Sequence, residues 1–172
     1  MIMTNDHVRL VEVGARDGLQ NEKRTLPPQT TVQLLEMLAD AGLRTLEAGA
    51  FVSPRWVPQM SGSDQVLKAL TTRPGVTWTA LVPNVKGLEA AIEAGCREVA
   101  VFTAASEAFS QRNTNCSIAQ SLLRYQEVMA RARCRSQGQR LRLVRHGLSL
   151  HRPRQTRGGR RSQRFALRNG VL

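Results

Sequence analysis

The segment VTWTALVPNVKGLEAAIEAGCREVAVFTAA, residues 76–105, decides the fold. It predicts a β-strand over residues 76–83, a helix that begins after Asn84 and ends at Gly95, and a second strand over residues 97–105. The second strand is so continuously apolar that we expect both of its faces to be buried. Two strands joined by one helix of this length are predicted to be parallel, with a right-handed crossover.

The same order of strand and helix extends to both sides of this segment. The sequence predicts further strands over residues 8–14 and 43–51, and further helices over residues 27–42, 61–72 and 117–132. Four βα units in about 130 residues predict an α/β fold with a parallel sheet. A doubly wound sheet and a (β/α)8 TIM barrel both fit. Because such a barrel needs about 250 residues, residues 1–132 would be its first half.

The positive charge of the chain is confined to its last quarter. Residues 1–130 contain 12 Lys and Arg against 13 Asp and Glu, whereas residues 131–172 contain 13 Arg and no acidic residue. The basic composition therefore says nothing about the function of the first three quarters. Residues 133–172 are predicted to form an irregular, disordered tail whose arginines attract nucleic acid without sequence specificity.

The composition also bears on the location of the protein. Its three cysteines, Cys96, Cys116 and Cys134, show no metal-ligand or redox spacing. The N-terminal residues do not resemble a targeting leader, and no run of about 18 apolar residues predicts a membrane span. We therefore expect a cytoplasmic protein with reduced thiols.

The segment EVGARDGLQNE, residues 12–22, carries the strongest signal for chemistry. It leaves the carboxyl end of the first predicted strand, where barrel enzymes hold their catalytic groups. The Asp17 carboxylate suits Mg²⁺ or Mn²⁺, and the Arg16 guanidinium suits a carboxylate or a developing enolate oxygen. From the spacing alone, a solvated Arg–Asp pair beside a glycine turn is an equal alternative.

This segment resembles the signature of the 3-hydroxy-3-methylglutaryl-CoA lyases. FVSPRWVPQM (residues 51–60), LVPNVKGLEAA (residues 81–91) and VFTAASEAFSQRNTNCS (residues 101–117) are similar to the same family, in the same order and spacing. The resemblance implies the first half of a TIM barrel that cleaves hydroxymethylglutaryl-CoA to acetyl-CoA and acetoacetate with Mg²⁺ or Mn²⁺. A Claisen-type acyl-CoA synthase of the same superfamily is the alternative, and the FVSPRWVPQM block argues against it.

The resemblance also implies roles for individual residues. Asp17 matches the family's metal-ligand carboxylate, and Arg16 matches the catalytic arginine that stabilises the enolate-like oxygen. Gln20 matches a residue that lines the substrate pocket. Glu47 matches an active-site glutamate that orients the arginine and the metal, and a solvent-facing charge at a strand end is its alternative.

Two further positions match more weakly. Lys23 and Asn113 correspond to family residues that contact the nucleotide part of CoA, although ordinary loop residues would look the same. Cys116 lies in the NTNCS segment at a predicted helix start, and we interpret it as a small buried side chain rather than a reactive thiol. The family's catalytic cysteine lies in a later loop.

The sequence departs from the family after residue 132. The family's His-x-His metal ligands, asparagine and mobile-loop cysteine have no counterpart here. His146 and His151 are surrounded by arginines, and we assign them no ligand role. With Asp17 as the one assigned ligand, we expect no tight metal site.

A shift of reading frame accounts for this departure. From Arg140, the codons CGG CTA CGT CTC GTG CGT CAC encode the present sequence, and one base to the right they encode Gly-Tyr-Val-Ser-Cys-Val-Thr. Suitable codons continue this reading through Ala-Cys-Pro-Tyr-Thr-Gly to Glu-Met-Gly-Cys-Tyr, which resembles the next strand, loop and helix of the lyases. We therefore hypothesise a frameshift near residue 139 and a truncated, inactive chain. An open half-barrel is expected to aggregate or to form a homodimer.

Overall fold

The structure, a computed structural model, describes residues 8–135 and 142–149. Its four strands are β1 (Thr45–Ala50), β2 (Thr77–Leu81), β3 (Glu98–Ala104) and β4 (Arg142–Ser149). Its α-helices are α1 (Pro28–Asp40), α2 (Ser63–Ala69), α3 (Val85–Glu93), α4 (Glu107–Thr114) and α5 (Ile118–Arg135). A short π-helix covers Gly14–Gly18, and a 3₁₀ turn covers Pro58–Met60.

The strands form one parallel sheet in the order β1-β2-β3-β4. The predicted α/β fold with a parallel sheet is thereby confirmed. Neighbours along the chain are neighbours in the sheet, which is the order of successive strands in a barrel. Among the described strands the order never reverses, as it would at the switch point of a doubly wound sheet.

The first predicted strand, residues 8–14, is reduced to a single parallel bridge. Glu12 N donates to Thr45 O at 2.9 Å, and Glu47 N donates to Glu12 O at 2.8 Å. Gly14 N then donates to Glu12 Oε1 at 2.6 Å, and the chain enters the π-helix. This local hydrogen bond turns the backbone away from the sheet, and that is why the ladder stops after one pair.

The chain beyond residue 132 also differs from the expectation of an irregular tail. Helix α5 continues to Arg135, and the strand Arg142–Ser149 pairs with β3 in parallel, with Val99 opposite Leu143 and Ala100 opposite Val144. The physical reason is that the outer edge of β3 presents backbone N–H and C=O groups, which the backbone of an extended segment can satisfy. Residues 136–141 and 150–172 lie outside the described part of the chain, and so does most of the predicted tail.

The helix α4 was not predicted from the sequence. Ser106 begins it as N-cap by accepting a hydrogen bond from Phe109 N at 3.3 Å, and Asn115 ends it with a left-handed φ of 49°. Its one buried residue is Ser110, whose hydroxyl donates to Cys116 O at 2.8 Å. A helix held by hydroxyl contacts rather than by an apolar stripe has no hydrophobic period to detect.

The core has two layers, and both are mainly aliphatic, as the low aromatic content of the sequence implies. The larger layer lies between the sheet and the helices and includes Leu35, Leu46, Leu88, Val99 and Val128. The smaller one is formed by Ala50, Met60, Leu81 and Ala100, with Phe102 packed against it. Within the described ranges, no helix is long and apolar enough to cross a membrane.

Helices α2 and α3 begin with different N-caps. Asn84 is the N-cap of α3 and accepts from Gly87 N at 2.9 Å, as predicted. The N-cap of α2 is Gly62, which makes no side-chain hydrogen bond to the helix. The Ser63 hydroxyl is engaged with the end of β1, where it contributes to the site described next.

Candidate functional site

Arg16 is the centre of the candidate site. It lies in the π-helix that follows the Glu12 bridge, on the carboxyl side of the sheet. Its Nε donates to Glu47 Oε1 at 2.5 Å, and its Nη1 donates to Asp17 Oδ1 at 2.6 Å. The guanidinium therefore joins a buried carboxylate on one side to an exposed one on the other.

Glu47 anchors this arrangement inside the sheet. Its side chain is 0% exposed, and the partner guanidinium of Arg16 is 13% exposed. A charge buried to this degree is tolerated in a protein only when a counter-charge and hydrogen bonds compensate it. Arg16 supplies that compensation, so the expected alternative of a solvent-facing charge at Glu47 is wrong.

The end of β1 is held tightly behind Glu47. The pairing of β1 with β2 shifts register between Glu47 and Gly49. At the shifted position, Ser63 Oγ accepts from Ala50 N at 3.0 Å and donates to Met60 O at 2.8 Å. A Cβ on Gly49 would overlap the Ser63 side chain, so only glycine lets the strand and α2 approach this closely.

Of the three side chains in contact, those of Arg16, Asp17 and Glu47, that of Asp17 is the most accessible to solvent. Its side chain is 59% exposed, and its backbone carbonyl accepts from Asn21 Nδ2 at 2.7 Å. This hydrogen bond from Asn21 stabilises the turn that carries the Asp17 carboxylate. Asn21 was not among the site residues predicted from the sequence. A carboxylate in this position is available to a cation or to a substrate from solvent.

The described residues do not form a complete metal site. Mg²⁺ and Mn²⁺ take about six oxygen or nitrogen ligands. No group of three His, Cys, Asp or Glu side chains with ligand spacing occurs within residues 8–133. Asp17 therefore offers a single carboxylate that is also bonded to Arg16. Only the backbone of His146 is described, and His151 lies outside the described residues.

The remaining predicted site residues take no part in the contacts among Arg16, Asp17 and Glu47. Gln20 is half-buried just beyond the π-helix, Lys23 is exposed in the segment that leads to α1, and Asn113 is exposed on α4. A cavity of about 200 Å³ beside Ala15 and Leu19 separates the π-helix from α1 and α2. The structure thus brings Arg16, Asp17 and Glu47 together by direct contacts, and it leaves Lys23 and Asn113 at the surface.

A second buried ion pair was missed by the sequence reasoning. Glu47, Thr79 and Glu98 are register partners in one row across β1, β2 and β3. Arg9 Nη2 donates to Glu98 Oε1 at 2.5 Å, and Arg9 Nε donates to the Thr45 hydroxyl at 3.0 Å. The available signal was a glutamate in each of two otherwise apolar strands, because a charge is kept there only when it is paired.

Cys96 and Cys116 are both buried, and we interpret both as structural. Burial raises the pKa of the Cys96 thiol to about 11, and its Sγ donates to Glu98 O at 3.1 Å. Cys116 is buried, with its Sγ 3.2 Å from the Thr114 hydroxyl, as the interpretation of a small buried side chain requires. Burial keeps the Cys96 thiol protonated at neutral pH, and a protonated thiol is a poor nucleophile.

Comparison with known proteins gives one consistent answer. The family described as HMGL-like matches residues 7–150. The chain is 60% identical over 126 residues to the 3-hydroxy-3-isohexenylglutaryl-CoA/hydroxy-methylglutaryl-CoA lyase of Pseudomonas aeruginosa, covering 73% of this chain and 42% of that protein. It is 61% identical over 125 residues to the hydroxymethylglutaryl-CoA lyase of Pseudomonas mevalonii, again covering 73% and 42%.

Solved structures agree with these sequence relatives. The crystal structure of hydroxymethylglutaryl-CoA lyase from Pseudomonas aeruginosa superposes with a TM-score of 0.74 at 54% identity, covering 81% of this chain and 45% of that one. An HMG-CoA lyase described as being in complex with coenzyme A and 3-methylmalate superposes with the same TM-score, 0.74, at 28% identity. The chain therefore spans about two fifths of the length of the curated relatives that it matches.

Proposed function

The chain belongs to the HMGL-like family, and from that premise we propose that its first 133 residues hold one half of a hydroxymethylglutaryl-CoA lyase site. The observation that carries the proposal is the contact of Arg16 with both Glu47 and Asp17. In this proposal Arg16 is the catalytic arginine, Glu47 is the catalytic-site glutamate that orients it, and Asp17 is a metal ligand. An acyl-CoA synthase is less well supported, since the sequence relatives quoted above are named as lyases.

The proposed reaction breaks one carbon–carbon bond of hydroxymethylglutaryl-CoA. A base takes the proton of the tertiary hydroxyl, the new carbonyl becomes acetoacetate, and the bonding pair moves onto the acetyl-CoA fragment as an enolate. The enolate then takes up a proton to give acetyl-CoA. Arg16 faces the charge that develops on the enolate oxygen, and its fixed contact with Glu47 means that little reorganisation is needed at that moment.

A divalent cation, Mg²⁺ or Mn²⁺, supplies polarisation of substrate oxygens in this chemistry when it is bound. The residues described here do not fit it as a complete ligand set, since Asp17 is the one carboxylate assigned to it. We therefore propose that the chain alone binds the cation weakly and does not turn over. Gln20 is proposed to contact the acyl group, and Lys23 and Asn113 are proposed to contact the CoA nucleotide.

The test is an acetyl-CoA release assay on the purified full chain with hydroxymethylglutaryl-CoA and either cation. We expect no release above the rate without protein. In parallel, Mn²⁺ titration followed by electron paramagnetic resonance is expected to give weak binding that Asp17→Ala removes. Asp64→Ala, which changes an exposed carboxylate paired with Lys68 on α2, is the matched control and leaves the Mn²⁺ binding unchanged. Turnover that Asp17→Ala abolishes would contradict the inactivity of the chain.

A second candidate function rests on the charge of residues 131–172. Thirteen arginines without an acidic residue favour binding to nucleic acid phosphates. Such binding is expected to weaken steeply with salt and to be independent of sequence, because Phe165 is the one aromatic residue available there for base stacking. Removing residues 134–172 is expected to abolish RNA binding. Binding that persists after this deletion would exclude the tail as its cause.

The origin of this tail is a separate proposal. Its support is the abrupt change in charge and the reading one base to the right, which resembles the continuation of the lyases. Sequencing the gene from independent isolates is the test. A frameshift predicts isolates whose gene restores the lyase reading, and an identical tail in every isolate would contradict it.

We further propose a cytoplasmic location and a homodimer. A cytoplasmic location has support from the bacterial relatives, although the relative from Gallus gallus carries the word mitochondrial in its name. A homodimer has support from the parallel sheet, because barrels normally leave no strand edge exposed. Fractionation of cells and sedimentation of the purified chain test these two proposals.

A further inference from the structure

A cleft opens between helices α2 and α3 at the carboxyl ends of β1 and β2. Helix α2 packs against α1 and helix α3 packs against α5, whereas α2 and α3 leave a cavity of about 460 Å³ between them. It is larger than the cavity beside Ala15, and its lining does not include Arg16, Asp17 or Glu47. The cleft is therefore separate from the candidate site around Arg16.

The walls of this cleft are mostly apolar. Phe51 and Val52 line it from the chain that leaves β1, Pro83 lines it from the chain that leaves β2, and Ala90 lines it from α3. A Cβ built on Gly87 would lie 2.9 Å from Pro83 Cδ and 3.5 Å from Phe51 Cβ, so these two side chains meet at the first turns of α3. Volumes of ~300–1,000 Å³ with an apolar lining and a few polar groups are typical of sites for small organic molecules.

The rim of the cleft carries an unpaired positive charge at the same end. Asp64 and Lys68 of α2 both line the cavity, and they form an ion pair with each other at 3.5 Å. Lys86, in the first turn of α3, forms no ion pair within residues 8–133. Glu93 also lines the cavity, but it lies seven residues further along the helix, about 10 Å away at a rise of about 1.5 Å per residue.

We propose that this cleft is a binding site for a small aliphatic carboxylate. The carboxylate contacts the Lys86 ammonium, and the hydrocarbon chain lies against Phe51 and Pro83, which are next to it. The partial positive charge at the start of α3 favours an anion at this end of the cleft. An aliphatic amine at Glu93 is the competing occupant, and it fits less well because Phe51 and Pro83 lie at the other end of α3. The proposal goes beyond the proposed function and does not depend on it.

The cleft also shares a wall with the end of β1. Met60 and Ser63 line it, and the Ser63 hydroxyl joins Ala50 N at 3.0 Å to Met60 O at 2.8 Å. A molecule in the cleft therefore contacts the hydrogen bonds that hold the strand behind Glu47. Because a ligand that binds only the folded state stabilises it, binding here is expected to raise the melting temperature of the chain.

Sodium hexanoate is the probe, titrated into the full chain and followed by saturation-transfer difference NMR. Acetate keeps the charge without the chain, and 1-hexanol keeps the chain without the charge. We expect hexanoate to bind about 10-fold more tightly than acetate and about threefold more tightly than 1-hexanol. Equal affinities for hexanoate and 1-hexanol, or tighter binding of hexylamine, would overturn the choice of a carboxylate. Absence of hexanoate binding by the folded chain would overturn the site.

Two pairs of variants locate the binding. Ala90→Leu fills the cleft and is expected to abolish hexanoate binding, whereas Ala69→Leu adds the same atoms at an exposed position outside the lining and leaves binding unchanged. Lys86→Gln is expected to lower the affinity for hexanoate to that for 1-hexanol, and Arg97→Gln, which removes an exposed charge elsewhere, is its control. Equal effects within either pair would overturn the assigned location. Because binding rather than acetyl-CoA release is measured, a negative result leaves the proposed function standing.

Discussion

Two buried arginine–glutamate pairs lie on either side of a single backbone bridge in this half-barrel. Arg9 precedes the bridge at Glu12 and binds Glu98, whereas Arg16 follows the bridge and binds Glu47. Both glutamates are buried and belong to one row of register partners across the sheet. The two pairs are alike in distance and in the burial of the glutamate, but the Arg9 side chain is 40% exposed and that of Arg16 is 13% exposed, and different groups surround them.

We infer different roles for the two ion pairs from the groups that surround them. The Arg16 pair continues outward to the exposed carboxylate of Asp17, on the side of the sheet where barrel enzymes act. The Arg9 pair continues to the Thr45 hydroxyl and lies next to the Cys96 thiol, whose burial keeps it protonated at neutral pH. We therefore propose a chemical role for the Arg16 pair, which is attached to an exposed carboxylate, and a structural role for the Arg9 pair.

The largest expected effect comes from breaking the Arg16 pair. Glu47→Ala leaves a guanidinium that is only 13% exposed without its partner, so we expect the free energy of unfolding to fall by about 3–5 kcal/mol. Glu98→Ala is expected to cost less, about 1–3 kcal/mol, because Arg9 is 40% exposed and can be rehydrated. Urea denaturation followed by tryptophan fluorescence measures both values. An equal or larger loss for Glu98→Ala would contradict the difference in burial.

The second largest loss of stability is expected from a substitution near the end of β1. Gly49→Ala places a methyl group against Ser63, which supports the strand behind Glu47, and overpacking of this kind costs about 1–3 kcal/mol. Gly18→Ala is the control, since a Cβ there meets no atom within 4 Å. Thermal unfolding followed by circular dichroism distinguishes the two. A melting temperature equally lowered in both variants would show that a general effect of replacing glycine, rather than the Ser63 contact, is responsible.

A pH dependence is expected beside the Arg9 pair. The pKa of Cys96 is raised from 9.0 to about 11 by burial. The thiol of the unfolded chain ionises first, so the stabilising contribution is complete below pH 9 and is lost as the pH rises through the folded-state value. Two pKa units correspond to a loss of stability of about 3 kcal/mol over this window, and we expect that loss to be absent in Cys96→Ala. Identical pH profiles for the two proteins would refute this.

The smallest change in the free energy of unfolding is expected for a substitution of Asp17. Its carboxylate is 59% exposed, so its ion pair with Arg16 is screened by solvent and contributes less than about 1 kcal/mol to stability. Asp17→Asn is therefore expected to leave urea denaturation nearly unchanged. A loss as large as that of Glu47→Ala would mean that the carboxylate is structural rather than available to a ligand.

The sequence predicted most of the sheet because its strands and helices carry clear hydrophobic periods. It missed the break at Gly14, where the Glu12 side chain captures a backbone N–H, and it missed α4, whose buried residue is a serine. Such elements are decided by single polar contacts, which leave no period in the sequence.

The candidate site was predictable only in part for a different reason. Arg16 and Asp17 are adjacent, so their motif is visible along the chain. The pairing of Arg9 with Glu98 joins residues 89 positions apart, and no local pattern indicates it. The closeness of Glu47 to Arg16 followed from the family resemblance rather than from spacing, because 31 residues separate them.

The most direct test of the account is a chimera. The 125 aligned residues of the Pseudomonas mevalonii lyase are replaced by the matching residues of this chain, so that the intact barrel supplies the missing half of the site. Acetyl-CoA release from hydroxymethylglutaryl-CoA is then measured with Mg²⁺. The account predicts an active chimera whose activity falls by at least 100-fold in Arg16→Gln, about the loss of one oxyanion-stabilising donor. A folded chimera without activity, or one that tolerates Arg16→Gln, would contradict it.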